Sequence, residues 1–255
     1  MSTAGEWSVT VVVPTLREVE NISPLVERVD AVRRATHLNL ELLFMDDDSR
    51  DGTVERVRAL ALDWVHVVVR TGEKGLSKAV LDGLGRSGRD VLVVMDADLS
   101  HPPEKIPELI DALRQGADMA VGSRFVEGGS TDDDWGLFRW INSRVATWLA
   151  APLTTLHDPM SGFFALRQST FRAGHAFNPV GYKICLELLV KCRCRSVAEI
   201  PIHFTDRTLG KSKLSLKEQF NYLRHVRLLY IHKFGTWSPW SPRIREWRSQ
   251  RPPSP

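Results

Sequence analysis

The chain has 255 residues, 43% hydrophobic and 25% charged, which is typical of one globular α/β domain of ordinary core size. Its formal net charge of +3 is too small to indicate a nucleic-acid-binding protein. The sequence shows neither a secretory signal at the N-terminus nor an apolar run of the roughly 20 residues that a membrane span needs.

The three cysteines, Cys185, Cys192 and Cys194, lie within ten residues of one another. An odd number at this spacing is not typical of a disulfide framework. We therefore expect free thiols and a cytoplasmic protein.

Apolar runs and helical patterns alternate between residues 9 and 124. This alternation predicts a parallel sheet with helices on both faces, because strands buried on two sides show continuous apolar runs. The predicted strands are 9–14, 40–47, 65–70, 90–98 and 118–124, and the predicted helices are 21–35, 53–61, 75–87 and 102–116.

The second half of the chain is less regular. We predict helices at 134–150, 181–193 and 214–235, and strands at 161–169 and 196–204. In the last helix, Leu216, Phe220, Leu223, Val226 and Tyr230 fall along one side. The expected organisation is one main domain at 1–213, an amphipathic helix at 214–236 and a basic, flexible tail with tryptophans at 237–255.

Acidic residues follow two of the predicted strands, in "MDDDSRDGT" and "MDADLS". Open α/β sheets bind ligands at the carboxyl ends of their strands. On a strand, Asp96 and Asp98 would point the same way and could share Mg²⁺ or Mn²⁺ with substrate phosphates. The alternative is an acidic turn that caps the helix beginning near Pro102.

Seven motifs spread over most of the chain are considered together: "VVVPTLREVENI", "MDDDSRDGT", "DADLSHPPE", "VGSRF", "DPMSGFFALR", "YKICLELL" and "GKSKLS". They resemble the motifs of the family 2 glycosyltransferases, and within that family most nearly those of the dolichyl- or polyprenyl-phosphate mannosyltransferases. The resemblance implies a catalytic domain with the GT-A fold, a Rossmann-like, mostly parallel sheet with helices on both faces. Here we also expect an added C-terminal amphipathic helix.

The resemblance also assigns roles to individual residues. It places Asp96 and Asp98 at the metal, and Arg124, Arg207 and Lys213 with Asp98 at the reaction centre. The full set for the nucleotide sugar is Pro14, Leu16, Glu18, Met45, Asp47, Asp96, Ala97, Asp98, Ser100, Arg124, Arg207 and Lys213.

The chain departs from the family pattern at the nucleoside pocket. Relatives often have Tyr-Asn where this chain has Leu16 and Arg17, and Gly where it has Asp48. Ser100 replaces a longer Gln of some relatives. These changes leave the identity of the bound nucleotide open.

The implied reaction moves mannose from GDP-mannose to a polyprenyl or dolichyl phosphate, with inversion at the anomeric carbon. This acceptor is already an anion at neutral pH, so it needs positioning by cations rather than a general base. Arg139 and Ser143, four residues apart on a predicted helix, could hold the acceptor phosphate. Asp158 could orient a sugar hydroxyl or cap a turn. Alternatives are a glucosyltransferase that uses UDP-glucose and a non-catalytic subunit that binds nucleotide sugars.

A polyprenyl acceptor requires access to a membrane. The helix at 214–234 contains Arg224 and Arg227, and the tail alternates tryptophans with arginines. We therefore expect peripheral binding at the cytoplasmic face of a membrane. Family members without membrane spans also imply a small membrane-anchoring subunit as partner. The alternative is a helix that packs in the core.

Overall fold

The computed structural model describes residues 7–132, 145–181, 183–205 and 216–235, with side chains from residue 219 onward in the last range. Its nine strands within these ranges form one large sheet and one small ladder. They are β1 (Ser8–Thr15), β2 (Asn39–Asp46), β3 (Val65–Val69), β4 (Val91–Val94), β5 (Met119–Ser123), β6 (Ser130–Thr131), β7 (Phe164–Arg167), β8 (Val197–Pro201) and β9 (His203–Phe204).

The helices of the described ranges mostly follow the predicted alternation with the strands. They are α1 (Val19–Thr36), α2 (Thr53–Ala59), α3 (Leu76–Arg86), α4 (Ile106–Arg114), α5 (Gln168–Ala173), α6 (Ile184–Lys191) and α7 (Leu216–Phe234). A 3₁₀ turn at Pro103–Lys105 leads into α4, and residues 145–150 are also helical.

The large sheet has the strand order β3-β2-β1-β4-β7-β5-β8. Strand β7 runs antiparallel to its neighbours β4 and β5, and the other pairs are parallel. The prediction of a mostly parallel sheet is confirmed. The predicted strand at 196–204 is two strands: β8 in the large sheet, and β9, which pairs with β6 outside it.

Apolar side chains cover both faces of the large sheet, as predicted. One face, which includes Val11 and Phe44, packs against α1 and α4. The other, which includes Val12 and Met45, packs against α3, α6 and α7. The alternation of consecutive residues between two cores is the period-two pattern of a sheet that is buried on both sides.

The predicted strand at 90–98 is wrong at its carboxyl end. Pairing with β1 ends at Val94, and residues 95–100 form a loop in which Leu99 has a φ of 62°. Asp96 and Asp98 therefore do not share the face of a strand. Their placement depends on the loop that follows the strand, not on strand alternation.

The predicted apolar side of the last helix is only partly correct. Val226 and Tyr230 are buried, but Phe220 is 69% exposed and Leu223 is 46% exposed. The inward face of α7 is Tyr222, His225, Val226, Leu229, Tyr230 and Phe234.

Buried polar contacts attach α7 to the domain. His225 Nε2 lies 2.7 Å from Glu187 Oε2 on α6, and Lys191 Nζ lies 2.7 Å from Glu187 Oε1. Although burial opposes ionisation of Glu187, His225 and Lys191 hold its pKa below the usual value. Tyr222 also donates a hydrogen bond to the carbonyl oxygen of Ala146 at 2.6 Å.

Within the described ranges, no helix is both long enough and apolar enough to cross a membrane. The three cysteines are free, as predicted. Burial raises the pKa of Cys192 and of Cys194 to about 12, so neither thiol ionises readily at neutral pH.

Two glycines of α3 provide a matched test of packing. A Cβ at Gly83 would lie 2.5 Å from Val12 Cγ1 and 2.9 Å from Met45 Cγ, whereas a Cβ at Gly85 would meet nothing within 4 Å. We expect Gly83→Ala to lower the free energy of unfolding by about 1–3 kcal/mol. Gly85→Ala should raise it by about 0.5–1 kcal/mol through helix propensity. Urea denaturation measures both, and equal effects would contradict the packing of α3 on the sheet.

Candidate active site

Four parallel strands end at one edge of the sheet and place the predicted site residues there. The loops after β1, β2, β4 and β5 carry Leu16, Asp47, Asp96 and Arg124 respectively. In the large sheet, β2 and β3 lie on one side of β1, and β4 lies on its other side. Such a reversal of strand order opens a crevice at the carboxyl ends of the strands. These four residues lie around this crevice.

The loop after β4 holds two carboxylates in different surroundings. Asp98 is 6% exposed, and its Oδ1 accepts hydrogen bonds from Ser100 Oγ at 2.5 Å and from the Ser100 backbone N–H at 3.2 Å. The side chain of Asp96 is 24% exposed. Ser100 thus orients Asp98, and Asp96 is the more accessible of the pair.

His101 supports Asp96 from inside the protein. The backbone N–H of Asp96 donates to His101 Nδ1 at 3.1 Å, so the neutral ring carries its proton on Nε2. The ring stacks on Phe163 and meets Phe204 edge-on, with centroids 5.4 and 5.5 Å away. At Gly162 a Cβ would lie 3.1 Å from both Asp96 Oδ2 and His101 Cε1, so only a glycine leaves this approach unobstructed.

The residues of this loop fit a hard divalent cation that is shared with a substrate. Carboxylate oxygens suit Mg²⁺ and Mn²⁺, which are often held by one or two carboxylates together with phosphate oxygens. Among the described residues, no group of three or more His, Cys, Asp or Glu side chains could form a complete metal site. Within the described part of the chain, Asp96 and Asp98 would therefore need substrate oxygens or water to complete the coordination of such an ion.

Arg124, directly after β5, is clamped by a buried carboxylate. Its Nε and Nη2 donate to the two oxygens of Asp158 at 2.7 and 2.8 Å, and its backbone N–H donates at 3.2 Å. Asp158 is fully buried, whereas the side chain of Arg124 is 11% exposed. The carboxylate of Asp158 is therefore paired with Arg124. The sequence suggested that Asp158 orients a sugar hydroxyl or caps a turn, and neither suggestion predicted this ion pair.

Lys183 is a site residue that the sequence motif contained but to which no role was assigned. It lies near Arg124, Asp158 and Asp96. Burial, reinforced by the charge of Arg124, lowers the pKa of Lys183 to about 8, while Asp158 and Asp96 oppose the shift. The sequence signal for a role of Lys183 was its place within the motif "YKICLELL". In the structure it lies one residue before α6.

Two consecutive aspartates at the carboxyl end of β2 have different partners. Asp46 is fully buried and accepts hydrogen bonds from Ser49. Asp47 is paired with Arg70 at the end of β3 and accepts the Gly75 backbone N–H at 2.6 Å. The sequence analysis also assigned no role to Arg70. Its position at the end of the predicted strand 65–70 was the only signal for it.

An open cavity of about 640 Å³ lies beside these loops, on the side where the nucleoside was predicted. Arg50, by hydrogen bonding, and Lys74, by its charge, hold the pKa of Asp48 below the usual value. Asp48 has a φ of 58° and Arg17 a φ of 63°, conformations that favour glycine or asparagine. The lining residues are Arg17, Asp48, Ser49, Arg50, Asp51 and Lys74.

Other predicted nucleoside residues differ in accessibility. Leu16 is 54% exposed and Glu18 is partly exposed. Pro14, Met45 and Ala97 are buried. The predicted residues Arg139, Ser143, Arg207 and Lys213 lie outside the described residues.

Comparison with protein families decides the class of this site. The family model "Glycosyl transferase family 2" matches residues 10–174, more than half of the chain, and includes the loops after β1, β2, β4 and β5. The chain belongs to glycosyltransferase family 2. It is a glycosyltransferase, and the family predicted from the motifs is confirmed.

Three similar proteins within the family are each named dolichol-phosphate mannosyltransferase. Dolichol-phosphate mannosyltransferases from Mycosarcoma maydis and Saccharomyces cerevisiae are 44% and 42% identical to this chain. The matches cover 92% and 89% of the chain, and 83% and 88% of those proteins. The protein of the same name from Pyrococcus furiosus is 44% identical over 86% of the chain, and the match spans 62% of that protein's length.

Solved structures confirm the GT-A fold. Glucosyl-3-phosphoglycerate synthase from Mycobacterium tuberculosis, in complex with Mn²⁺, uridine diphosphate and glucosyl-3-phosphoglycerate, superposes with a TM-score of 0.67. The two proteins are 20% identical, over 91% of this chain and 81% of the other. At this identity the likeness shows the fold and no more.

The lowered pKa of Lys183 has a testable consequence for nucleotide binding. The ammonium is charged below pH 8 and loses its charge above it. On the expectation from the motifs that GDP binds in this crevice, the affinity of the wild-type protein for GDP should fall between pH 7 and pH 9. Lys183→Met should bind GDP about tenfold more weakly at pH 7, with no such pH dependence. Lys183→Arg should remain charged and bind equally at both pH values.

Isothermal titration calorimetry in Mg²⁺ measures these affinities. Lys105→Met, which removes a surface lysine that pairs with Glu108, is the matched control. A Lys183→Met protein with wild-type affinity and pH dependence would show that the ammonium does not face the nucleotide.

Proposed function

We propose that this glycosyltransferase transfers mannose from GDP-mannose to a polyprenyl or dolichyl phosphate. The observation that carries the proposal is the arrangement at the crevice, where the loop with Asp96 and Asp98 lies beside Arg124 and Lys183. One edge of the sheet thus combines a candidate cation site with two basic groups. The names and coverage of the relatives favour mannose and a lipid phosphate.

The charges suit an acceptor that is itself an anion. A phosphate monoester has lost its first proton at neutral pH, so the attacking oxygen needs no general base. It must instead approach a donor diphosphate of the same sign, which requires cations between the two. Arg124 and Lys183 would supply positive charge on the side of the crevice away from the nucleoside cavity.

Asp96 and Asp98 would hold a divalent cation, Mg²⁺ or Mn²⁺. When bound, this ion neutralises the charge that develops on the leaving nucleoside diphosphate. Ser100 keeps Asp98 oriented, and the Asp158 clamp fixes the direction of Arg124. The transfer is a single in-line displacement: the lipid phosphate oxygen forms a bond to the anomeric carbon as the bond to the diphosphate breaks, and the configuration inverts.

Four further roles extend the proposal to residues beyond the described ranges. Arg139 and Ser143 would hold the acceptor phosphate, and Arg207 and Lys213 would contact the reacting groups. These assignments rest on the motifs alone. A small membrane-anchoring subunit and the cytoplasmic face of the membrane are likewise predictions from the resemblance.

A transfer assay tests the proposal. The protein is incubated with a polyprenyl phosphate, Mg²⁺ or Mn²⁺, and either GDP-mannose or UDP-glucose, and the lipid-linked sugar is quantified. We expect the mannosyl lipid to predominate and to disappear on chelation of the metal. A preference for UDP-glucose would overturn the donor assignment, and the absence of product with either donor would favour a non-catalytic binding subunit.

Asp98→Ala should lower the rate of transfer by about 100-fold or more, because a metal contact contributes several kcal/mol to the transition state. Asp111→Ala, which removes an exposed carboxylate of α4, is the control and should leave the rate unchanged. Thermal unfolding of both variants separates loss of fold from loss of metal. Full activity of Asp98→Ala would show that the cation binds elsewhere.

We further propose that α7 and the adjoining helical residues 145–150 form a membrane-binding surface. The outward side of α7 exposes Phe220, Leu223 and Ile231, and Trp148 on the neighbouring helical segment is 72% exposed. The two segments are joined through the hydrogen bond of Tyr222 to Ala146. Isolated exposed apolar residues are common, but four large ones on two adjoining helical segments are typical of an interaction surface.

The charge of this surface favours an anionic bilayer as its partner. Arg224 and Arg227 lie on the same side of α7 as Phe220 and Ile231, by helical spacing and exposure. Apolar residues interleaved with arginines are typical of helices that lie in the interface of anionic membranes. A lipid-linked acceptor requires such a location.

Vesicle co-sedimentation tests this surface. Phe220→Ser and Ile231→Ser should each weaken binding to vesicles of phosphatidylcholine and phosphatidylserine, by roughly tenfold, because each removes a large apolar contact. Arg224→Glu should weaken binding most at low salt. Leu62→Ser, which removes an exposed leucine elsewhere, is the control. Unchanged binding of all three surface variants would contradict the proposal.

A further inference from the structure

Glu199 lies in the middle of β8, the edge strand of the large sheet, and its side chain is 12% exposed. It shares a face of the strand with Val197, which packs against the core that contains α6 and α7. Glu199 is therefore a largely shielded carboxylate on the strand face that carries Val197. Its carboxylate is retained there by hydrogen bonds to the segment that precedes β7.

Both oxygens of Glu199 accept backbone hydrogen bonds from two consecutive residues. Oε2 accepts the N–H of His157 at 2.9 Å, and Oε1 accepts the N–H of Asp158 at 3.2 Å. Oε2 also lies 2.8 Å from Nδ1 of the His157 side chain. One carboxylate therefore fixes the backbone at the position from which Asp158 projects.

Asp158 transmits this placement to Arg124. It grips the guanidinium through both of its oxygens and also accepts the Arg124 backbone N–H. The guanidinium carbon lies 5.2 Å from the ring centroid of Phe125 and 5.1 Å from that of Phe204. These rings restrict the guanidinium, and Asp158 fixes its donor edge with hydrogen bonds that have direction.

We infer that Glu199 is a positioning residue for glycosyl transfer, which acts on Arg124 through the backbone of residues 157 and 158. The inference rests on the proposed function, in which Arg124 acts at the reaction centre. It adds to that function a residue on an edge strand, which reaches Arg124 through Asp158.

The inference requires a carboxylate rather than any polar side chain. A glutamine at position 199 has one accepting oxygen and one donating amide, whereas the segment presents two N–H donors. One of the two backbone hydrogen bonds is therefore lost in Glu199→Gln, although the volume is conserved. A shift of Arg124 by a fraction of an ångström follows, and small displacements of this kind lower reaction rates strongly.

The first test reports on Arg124 without any activity. The Nε–H of Arg124 donates to Asp158, so its NMR signal should exchange slowly with solvent in the wild-type protein. Absence of the signal from Arg124→Lys assigns it. Glu199→Gln should speed the exchange about fivefold. An unchanged exchange rate would overturn the inference, whatever the reaction proves to be.

The second test uses the transfer reaction. Glu199→Gln should lower kcat about tenfold, with less than a threefold change in KM for the nucleotide sugar. In the Arg124→Lys background the same change should have almost no further effect, because the residue that Glu199 positions is already altered. Equal losses in both backgrounds would indicate a general structural role and would contradict the inference.

Glu41→Gln is the matched control. Glu41 lies on β2, is similarly shielded, and accepts a hydrogen bond from Thr10 while pairing with Arg89 near the amino ends of the strands. It should change neither the exchange of Arg124 nor kcat. If Arg124→Lys itself is fully active, the proposed role of Arg124 fails. If it is inactive while Glu199→Gln is normal, only the present inference fails.

Discussion

The buried ion pair between Arg124 and Asp158 is the interaction on which the part of the crevice after β5 depends. Asp158 is fully buried, and an isolated carboxylate there would be strongly unfavourable without a paired cation. The pair also connects the end of β5 to the segment before β7. Removal of either partner therefore leaves an uncompensated charge in the protein. It also removes the contact between the end of β5 and the segment before β7.

The two sides of the crevice differ in how their charged groups are paired. On the side of the open cavity, Asp47 is paired with Arg70, and the cavity is lined by both acidic and basic groups. On the side of β5, Lys183 lies near Arg124 and Asp96, where its charged form is only marginally favoured at neutral pH. A diphosphate that enters between the two sides would raise the preference for the charged lysine. The same ligand would be repelled by Asp96 and Asp98 unless a divalent cation accompanies it, so donor and cation should bind together.

Much of this architecture could be predicted from the sequence, because buried strands produce apolar runs and their ends carry the polar groups. The prediction failed where long-range contacts decide the outcome. An apolar run does not encode its direction, so the antiparallel orientation of β7 was not foreseen. The roles of Arg70, Asp158 and Lys183 depend on partners that are distant in the chain. In α7, helical spacing grouped Phe220 with Val226, yet only the packing shows that the first is exposed and the second buried.

The insertion of β7 between β4 and β5 has a consequence for biosynthesis. Strands β4 and β5 follow each other in the chain but do not pair with each other, and each lacks a neighbour until residues 164–167 arrive. As the nascent chain leaves the ribosome, β1, β2, β3 and β4 can assemble while β5 still has an open edge. Unpaired strand edges are prone to association with other chains. The facing edges of β4 and β5 therefore stay open until β7 is translated, and the outer edge of β5 stays open until β8 follows.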